Sequence, residues 1–345
     1  MKAFSFGKAM YFCVAGAVAI CTAPAFSQVP VWPTASQVTP GDLVSFYVMG
    51  DVPYHIKTPE ELPEGDRAYF DFLRAEEHHI ARHLVGTNGD PHASFVVHVG
   101  DIKRGASWPC EEAFFLKTWS LLRGSKKPVF IIPGDNEWND CDDPDAAWKL
   151  WHEYFAAYDE LWGTELPVMR RGAASPEDFG FHFIQNGVLF VGINLVGFSA
   201  ENSAKYRYLV ENAVSLIREA VESRPERPKA MVVFGHATIA KGVTKQPRDN
   251  ESYAYFVSEL THLTTSSEIP TLYINGDAHV WNPQAPAFSD SPNFARVTID
   301  EGGTAPPVRV TITQDRDKVF VLDRGDHRGT TVVGYRGNSL GLVEP

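Results

Sequence analysis

The feature that most constrains this chain of 345 residues is a pattern that recurs where its apolar segments end. Apolar runs are followed by Gly-Asp or Gly-His in "FYVMGD", "VVHVGD", "FIIPGD", "VVFGH" and "YINGDAH". A continuous rather than alternating apolar run is typical of a strand buried on both faces. A single Gly-Asp is an ordinary turn pair. Five such endings favour parallel strands whose carboxyl ends line one crevice, as in open α/β sheets.

The rest of the pattern indicates an α/β protein with mostly parallel strands and a later antiparallel part. Apolar runs predict strands at 43–50, 94–100, 128–134, 188–197, 230–235 and 271–276. Periodic stretches predict helices over 66–85, 143–162, 204–222 and 251–264. After residue 293, three alternating runs predict antiparallel strands, whereas the Gly-rich tail from Arg328 gives no prediction. His79 and His83 are interpreted as part of a solvated helix face, because the Glu of an HExxH site is absent.

The first 27 residues have the composition of a secretory signal peptide. Lys2 and Lys8 precede an uncharged run, and the small residues Ala25 and Ser27 stand before Gln28. We therefore expect cleavage after Ser27, a secreted or periplasmic protein, and no membrane association after cleavage. No Gly-, Ser- or Pro-rich linker divides residues 28–345, which predicts a single domain.

The charge of the chain disfavours nucleic acid as a partner. The formal net charge is −12, and loss of residues 1–27 would remove two lysines and no acid, giving −14. A surface this acidic is not expected to bind polyanions. The two cysteines outside the leader, Cys110 and Cys141, lie in loops, and a disulfide is the simplest interpretation in an oxidising compartment. Two buried thiols are the alternative.

The strand ends carry a set of side chains suited to metal ions. They are Asp51, Asp101, Asp135, His236, Asp277 and His279. Asp and His without Cys suit divalent metals of intermediate hardness, and gathered carboxylates repel one another unless cations lie between them. Two ions about 3.5–4 Å apart clamp both oxygens of an in-line displacement and lower the pKa of a water, which suits phosphate ester hydrolysis.

In order and spacing, these motifs resemble those of the calcineurin-like metallophosphoesterases, the superfamily that includes the purple acid phosphatases. The matching segments are "GDVPYH", "GDIKRG", "GDNEW", "FGHAT" and "GDAHVW", which span roughly residues 43 to 282. The resemblance implies a four-layer α-β-β-α sandwich with mixed sheets. It also implies two divalent or trivalent metal ions, drawn from Mn, Fe, Zn, Mg and Ca.

The chain departs from the family pattern in its first, third and fifth motifs. The His of the first motif falls on Pro53, which cannot ligate, so Tyr54 or His55 is expected to replace it. In the third motif, alignment without gaps places Asp135 at the ligand Asn and Asn136 at the catalytic His. A shift of one residue would instead keep Asn136 as the ligand.

The resemblance implies roles for the motif residues. Asp101 would bridge the ions, Asp51 and His279 would hold the first, and a metal-bound hydroxide would attack phosphorus. The second ion would contact Asp101, Asp135 or Asn136, His236 and Asp277. Because Asp277 replaces a family His, this second set is harder and favours manganese, magnesium or calcium.

Two further roles complete the predicted site. His55 is a candidate acid for the leaving group, and Lys103 or Arg104 could bind the phosphate oxygens. A solvated turn is the alternative interpretation of Lys103 and Arg104.

The first functional hypothesis is a secreted, dinuclear metal-dependent phosphohydrolase that cleaves small phosphate esters, either monoesters or diesters, by metal-activated water. The second is a catalytically impaired descendant that keeps a metal and binds phosphorylated ligands or partners. The third is an extracellular nuclease, against which the acidic charge argues.

Overall fold

The computed structural model describes residues 41–53, 79–105, 109–172, 175–197, 203–239, 251–325 and 328–344. They form two seven-stranded mixed sheets with associated helices. In chain order the strands are β1 Asp42–Met49, β2 Ala93–His98, β3 Val129–Ile131, β4 Met169–Arg170, β5 Gly180–Gln185, β6 Val188–Ile193, β7 Ala230–Phe234, β8 Thr271–Asn275, β9 Asn282–Gln284, β10 Phe294–Thr298, β11 Val308–Thr313, β12 Phe320–Asp323, β13 Thr330–Arg336 and β14 Ser339–Val343.

The first sheet has the strand order β14-β13-β12-β11-β1-β2-β3. Its strands β1, β2 and β3 run parallel, with Met49 opposite His98 and His98 opposite Ile131. The strands from β11 to β14 form an antiparallel meander that joins β1 through β11. The sheet is therefore mixed, and its parallel half directs three strand ends to the same edge.

The second sheet has the strand order β4-β5-β6-β7-β8-β10-β9. Strands β6, β7, β8 and β10 are parallel, and β4, β5 and β9 add antiparallel pairs at the two sides. The antiparallel prediction is thus confirmed for β11 and β12, whereas β10 lies antiparallel to β9 on one side but parallel to β8 on the other. A period-2 pattern cannot distinguish the two orientations, because side chains alternate in both.

The two sheets pack face to face through an aromatic core. Phe46 of β1 contacts Phe190 and Phe234 of the second sheet at ring-centroid distances of 5.4 and 5.7 Å. Phe95 and Phe130 likewise contact Phe183, at 5.4 and 4.7 Å. Such ring pairs add to the burial of apolar area, which is the main stabilising contribution in a core of this kind.

The helices are α1 His79–Gly89, α2 Glu112–Leu122, α3 Pro144–Phe155, α4 Ser203–Glu222 and α5 Glu251–Ser267. Helices α4 and α5 pack on each other and on the second sheet, whereas α1, α2 and α3 contact one another in sequence. Tyr47, which points away from the inner face that Phe46 occupies, donates a hydrogen bond to Asp90 just after α1. The layers are those of a calcineurin-like α/β sandwich.

One predicted helix is shorter than expected, and the tail, for which the sequence gives no prediction, forms strands. The predicted helix 143–162 ends at Phe155 and continues as a short 3₁₀ segment, Tyr158–Trp162. The tail from Arg328 forms strands β13 and β14, which complete the first sheet. The apolar side chains Val333 and Leu340 are buried there, and the glycines between them had masked the pattern.

The start of helix α3 and the disulfide are as the sequence predicts. The Asp143 side chain accepts a hydrogen bond from the Ala146 amide and caps α3, whose first residue is Pro144. Cys110 and Cys141 form a disulfide with a Cα–Cα distance of 5.9 Å. Within the described part of the chain, none of the helices is both long and apolar enough to span a bilayer.

Candidate metal centre

Five strand ends meet at one edge of the sandwich, as the sequence predicts. Strands β1, β2 and β3 deliver Asp51, Asp101 and Asp135 from the first sheet, and β7 and β8 deliver His236 and Asp277 from the second. Backbone hydrogen bonds join the loops after β1 and β2. The Asp51 amide donates to the Gly100 carbonyl oxygen, and the Val52 amide donates to the Asp101 carbonyl oxygen.

Several of these residues have a backbone conformation that non-glycine residues rarely adopt. Asp51, Asp101, Asp277 and His279 have φ values of 52°, 61°, 64° and 62°. Left-handed φ is uncommon for residues with a Cβ, although Asp and His tolerate it better than most. Four left-handed residues at one edge show that the fold imposes the conformation that gathers these side chains.

The gathered side chains form two groups that could each hold a cation. One is Asp51, Asp101 and His236, and the other is Asp135, His236 and Asp277, and within each group the ligand atoms lie within 4.8 Å of one another. His236 belongs to both groups. His236 Nε2 lies 3.3 Å from Asp101 Oδ1 and 3.1 Å from Asp135 Oδ1.

The tautomer of His236 is set by its other ring nitrogen. His236 Nδ1 lies 2.8 Å from the Val99 carbonyl oxygen, which can only accept a hydrogen bond. The proton of a neutral ring is therefore on Nδ1, and the Nε2 lone pair faces two carboxylate oxygens. That arrangement is repulsive unless a proton or a cation lies between them, and a backing carbonyl of this kind is common behind metal-bound histidines.

Burial and crowding perturb the acid–base equilibria of the site. Burial, together with the Asp135 carboxylate, raises the pKa of Asp277 to about 7. Burial lowers the pKa of His236, but the Asp101 and Asp135 carboxylates outweigh it and raise that pKa well above its ordinary value. Both shifts reflect an excess of buried negative charge, which a cation would relieve.

The residues present therefore fit metal ions. Asp51 Oδ2 is a buried atom with no hydrogen-bond partner among the described residues, and the buried His236 Nε2 faces only carboxylate oxygens. Buried polar atoms are otherwise nearly always satisfied, so these two point to a ligand. The oxygen atoms of Asp and the nitrogen atoms of His are also ligands expected for Mn²⁺, Fe or Zn²⁺.

His279 lies beside Asp51 at the same edge. Its Nε2 is 3.0 Å from Asp51 Oδ1, and its Nδ1 is 3.4 Å from Glu301 Oε2. Burial lowers the pKa of His279, but Asp51 and then Glu301 outweigh it and raise that pKa to about 9. Asp51 and His279, which the family resemblance assigns to the same ion, are thus in direct contact.

Asn136 and Glu137 hold the Asp101 loop from both sides. The Asn136 side-chain amide donates to Asp101 Oδ2 at 2.5 Å, and its backbone amide donates to Asp101 Oδ1 at 3.1 Å. Glu137 Oε1 accepts from the amides of Asp101 at 3.1 Å and Gly134 at 2.5 Å. Burial and the nearby Asp101 carboxylate raise the pKa of Glu137 to about 8.

The remaining predicted residues lie in different surroundings. Lys103 is 1% exposed and donates to the Arg104 carbonyl at 3.0 Å, so the solvated-turn interpretation is wrong for Lys103, whereas Arg104 is exposed. Burial lowers the pKa of Lys103 against the attraction of Glu137 and Asp101. Tyr54 and His55 lie outside the described residues.

Sequence reasoning gave no role to two carboxylates of this edge, Glu137 and Glu301. Glu137 stands in the third motif itself, directly after Asn136. Glu301 follows β10 in "VTIDEGG", a further apolar run that ends in acids and glycines. An apolar run followed by acidic residues and glycines is therefore the sequence signal that would have identified Glu301 as a residue of this edge.

Comparisons with known proteins agree with the fold and the motifs. The sequence model described as calcineurin-like phosphoesterase matches residues 44–281, so the chain belongs to the calcineurin-like phosphoesterase family. A search of curated protein sequences finds no match.

Three solved structures illustrate the structural similarity. GAP50, described as the anchor in the inner membrane complex of Plasmodium, is 14% identical with a TM-score of 0.50, covering 86% of this chain and 90% of that chain. TT1561 of Thermus thermophilus is 12% identical (TM-score 0.39; 79% and 95% covered). The phosphopantetheinyl hydrolase PptH from Mycobacterium tuberculosis is 11% identical (TM-score 0.35; 76% and 92% covered). At these identities the likeness concerns the fold alone.

Proposed function

We propose that this protein is a secreted, dinuclear metal-dependent phosphohydrolase that acts on small phosphate esters. The observation that carries the proposal is that two groups of ligand atoms lie side by side, with His236 within reach of both. One ion would be held by Asp51 and Asp101 with His279 beside them, and the other by Asp135, His236 and Asp277. When bound, such ions polarise phosphoryl oxygens and lower the pKa of a water.

The chain's own residues would prepare the site for that chemistry. The amide of Asn136 and the side chain of Glu137 fix the Asp101 loop, so the Asp101 carboxylate that would hold metal is oriented in advance. Arg104 is exposed next to this loop and would bind phosphate oxygens. His55 would supply the proton to the leaving group.

The family membership also supports a secondary candidate, a metal-containing module that binds phosphorylated ligands without turnover. The specific observation is that Asn136 stands where gapless alignment places the catalytic His, and that its amide is engaged by Asp101. An amide cannot act as a general acid, whereas imidazole contributes typically ~10²–10⁴-fold to catalysis.

Secretion and domain organisation are parts of the same proposal. Residues 1–27 would be a cleaved leader and residues 28–345 a single domain. The Cys110–Cys141 disulfide supports a route through an oxidising compartment, where disulfides form and persist. Mass spectrometry of the protein isolated from its native compartment would test this, with Gln28 expected as the first residue.

Metal content and turnover distinguish the two functional candidates. Elemental analysis of the purified protein would be paired with assays on chromogenic phosphomonoesters and phosphodiesters, with each candidate metal supplied in turn. The enzyme proposal expects about two ions per chain and turnover that Asp101→Ala abolishes. Two ions without turnover of any ester would favour the binding module, and absence of metal would contradict both.

A further inference from the structure

Residues 300–302, which follow β10, contact both the loop that carries Asp51 and the loop that carries His279. The Glu301 side chain is 3% exposed, and its Oε2 lies 3.4 Å from His279 Nδ1. On the other side of the same ring, His279 Nε2 lies 3.0 Å from Asp51 Oδ1. Glu301 and Asp51 therefore hold the His279 ring from opposite nitrogens.

The backbone of this segment is fixed to the loop that carries Asp51. The Gly302 amide donates to the Gly50 carbonyl at 3.0 Å, and a Cβ at Gly302 would lie 2.7 Å from Val52 Cβ. The Gly302 carbonyl oxygen lies 2.6 Å from Nε2 of His83, which is fully buried on α1. The solvated-face interpretation of His83 is therefore wrong.

The neighbouring residue Asp300 fixes the loop that carries His279. Its Oδ1 accepts a hydrogen bond from the Trp281 amide at 3.0 Å, and its Oδ2 pairs with Arg324 at 2.6 Å. The Arg324 guanidinium in turn lies 4.6 Å from the centroid of the Trp281 ring. Residues 300–302 thus contact both the loop that carries Asp51 and the loop that carries His279.

We propose that Glu301 is a positioning residue that fixes the ring orientation and tautomer of His279 for metal binding opposite Asp51. This inference rests on the proposed function. A carboxylate that accepts the proton of one ring nitrogen leaves the lone pair of the other directed at the ion and makes that nitrogen more basic. Loss of such a partner typically costs about 10–100-fold in metal affinity.

The test is titration of Mn²⁺ alone into metal-free protein by calorimetry, with Glu301→Ala and Glu301→Gln compared with wild type. We expect about 10–100-fold weaker binding at one of two sites in Glu301→Ala and the other site unchanged. Glu301→Gln keeps a carbonyl acceptor, so its loss is expected to be smaller. Glu301→Gln also keeps the side-chain size, and tests the proposal should Glu301→Ala not fold.

Asp90 offers a matched control because it is equally buried and pairs with Arg309 at 2.8 Å rather than with a residue of the site. Asp90→Ala and Asp90→Asn are expected to destabilise the fold but leave both Mn²⁺ affinities unchanged.

Wild-type affinity at both sites in both Glu301 variants would overturn the inference while leaving the proposed function standing. Equal weakening by the Asp90 variants would overturn it as well, because the effect would then be one of general stability. Absence of Mn²⁺ binding in the wild type would remove the proposed function and this inference together, before any variant is compared.

Discussion

At the scale of single residues, the buried Glu137 holds the backbone around the candidate ligand Asp101. Its Oε1 accepts two backbone amides, and its pKa is raised to about 8, so in the metal-free protein it is protonated at neutral pH. We expect Glu137→Gln to change the free energy of unfolding little, because glutamine keeps a carbonyl acceptor. Glu137→Ala is expected to cost about 1–3 kcal/mol for each amide left without an acceptor.

Urea unfolding at pH 7 in the presence of a chelator measures both variants. The comparison is matched, because both substitutions remove the titrating carboxyl group and only one removes the acceptor oxygen. Equal destabilisation by Gln and Ala would contradict this prediction, because the acceptor oxygen would then not be what stabilises the loop.

The candidate ligands were predictable from sequence because each directly follows an apolar run, so local order encodes their shared location. Asp51, Asp101 and Asp277 are of this kind. The contacts of Glu301 and His83 were not predictable, because Glu301 lies 22 positions after His279 and 219 positions separate His83 from Gly302. Such pairings depend on how the two sheets stack, which no local pattern specifies.

At the scale of elements, the close approach of β2 and β3 at their carboxyl ends requires glycine. Gly100 has φ of +90°, and a Cβ on it would lie 2.6 Å from the Gly134 nitrogen. A Cβ on Gly134 would overlap Asp101 itself, at both its Oδ1 and its backbone nitrogen. The Gly-Asp pairs therefore do more than terminate strands, because they let two site loops come into backbone contact.

We expect Gly134→Ala to displace Asp101 and to weaken metal binding at both ligand groups, with a loss of stability of about 1–3 kcal/mol from overpacking. Mn²⁺ calorimetry and urea unfolding measure the two effects. Gly172→Ala is the control, because a Cβ at Gly172 meets nothing within 4 Å. Unchanged Mn²⁺ affinity in Gly134→Ala would contradict the prediction.

The strands themselves were largely predictable, because those of the parallel core are continuous apolar runs that few other structures accommodate. The antiparallel strands β5, β13 and β14 were missed. Their apolar runs are short and carry glycines at Gly180, Gly334 and Gly341, so the sequence shows neither a helical nor a strand periodicity there. They are fixed by pairing with neighbours, as Gly334 opposite Gly341 illustrates.

At the scale of the whole molecule, the ionisable groups of the candidate site link stability to pH. Glu137 and Asp277 have pKa values raised from 4.5 to about 8 and from 3.8 to about 7. Each therefore contributes stability that is fully present below its unfolded-state pKa and is lost as pH rises through the folded-state value. The pKa of His279 is raised from 6.5 to about 9, so this group also contributes stability that is lost as pH rises, over a higher pH range.

Together with His236, whose pKa is also raised, these groups predict that the metal-free protein becomes less stable from about pH 6.5 to pH 9, above the range in which the lowered pKa of His98 acts in the opposite direction. Metal ions compete with protons at Asp277 and the two histidines, so stabilisation by Mn²⁺ should grow over that range. Thermal unfolding with chelator and with excess Mn²⁺ should give curves of Tm against pH that diverge upward from about pH 6.5. Glu137→Gln should flatten the metal-free curve, because it removes one of the titrating groups. A metal-free Tm that rises with pH would contradict the prediction, and it would mean that the acidic cluster is stabilised as anions without any ion.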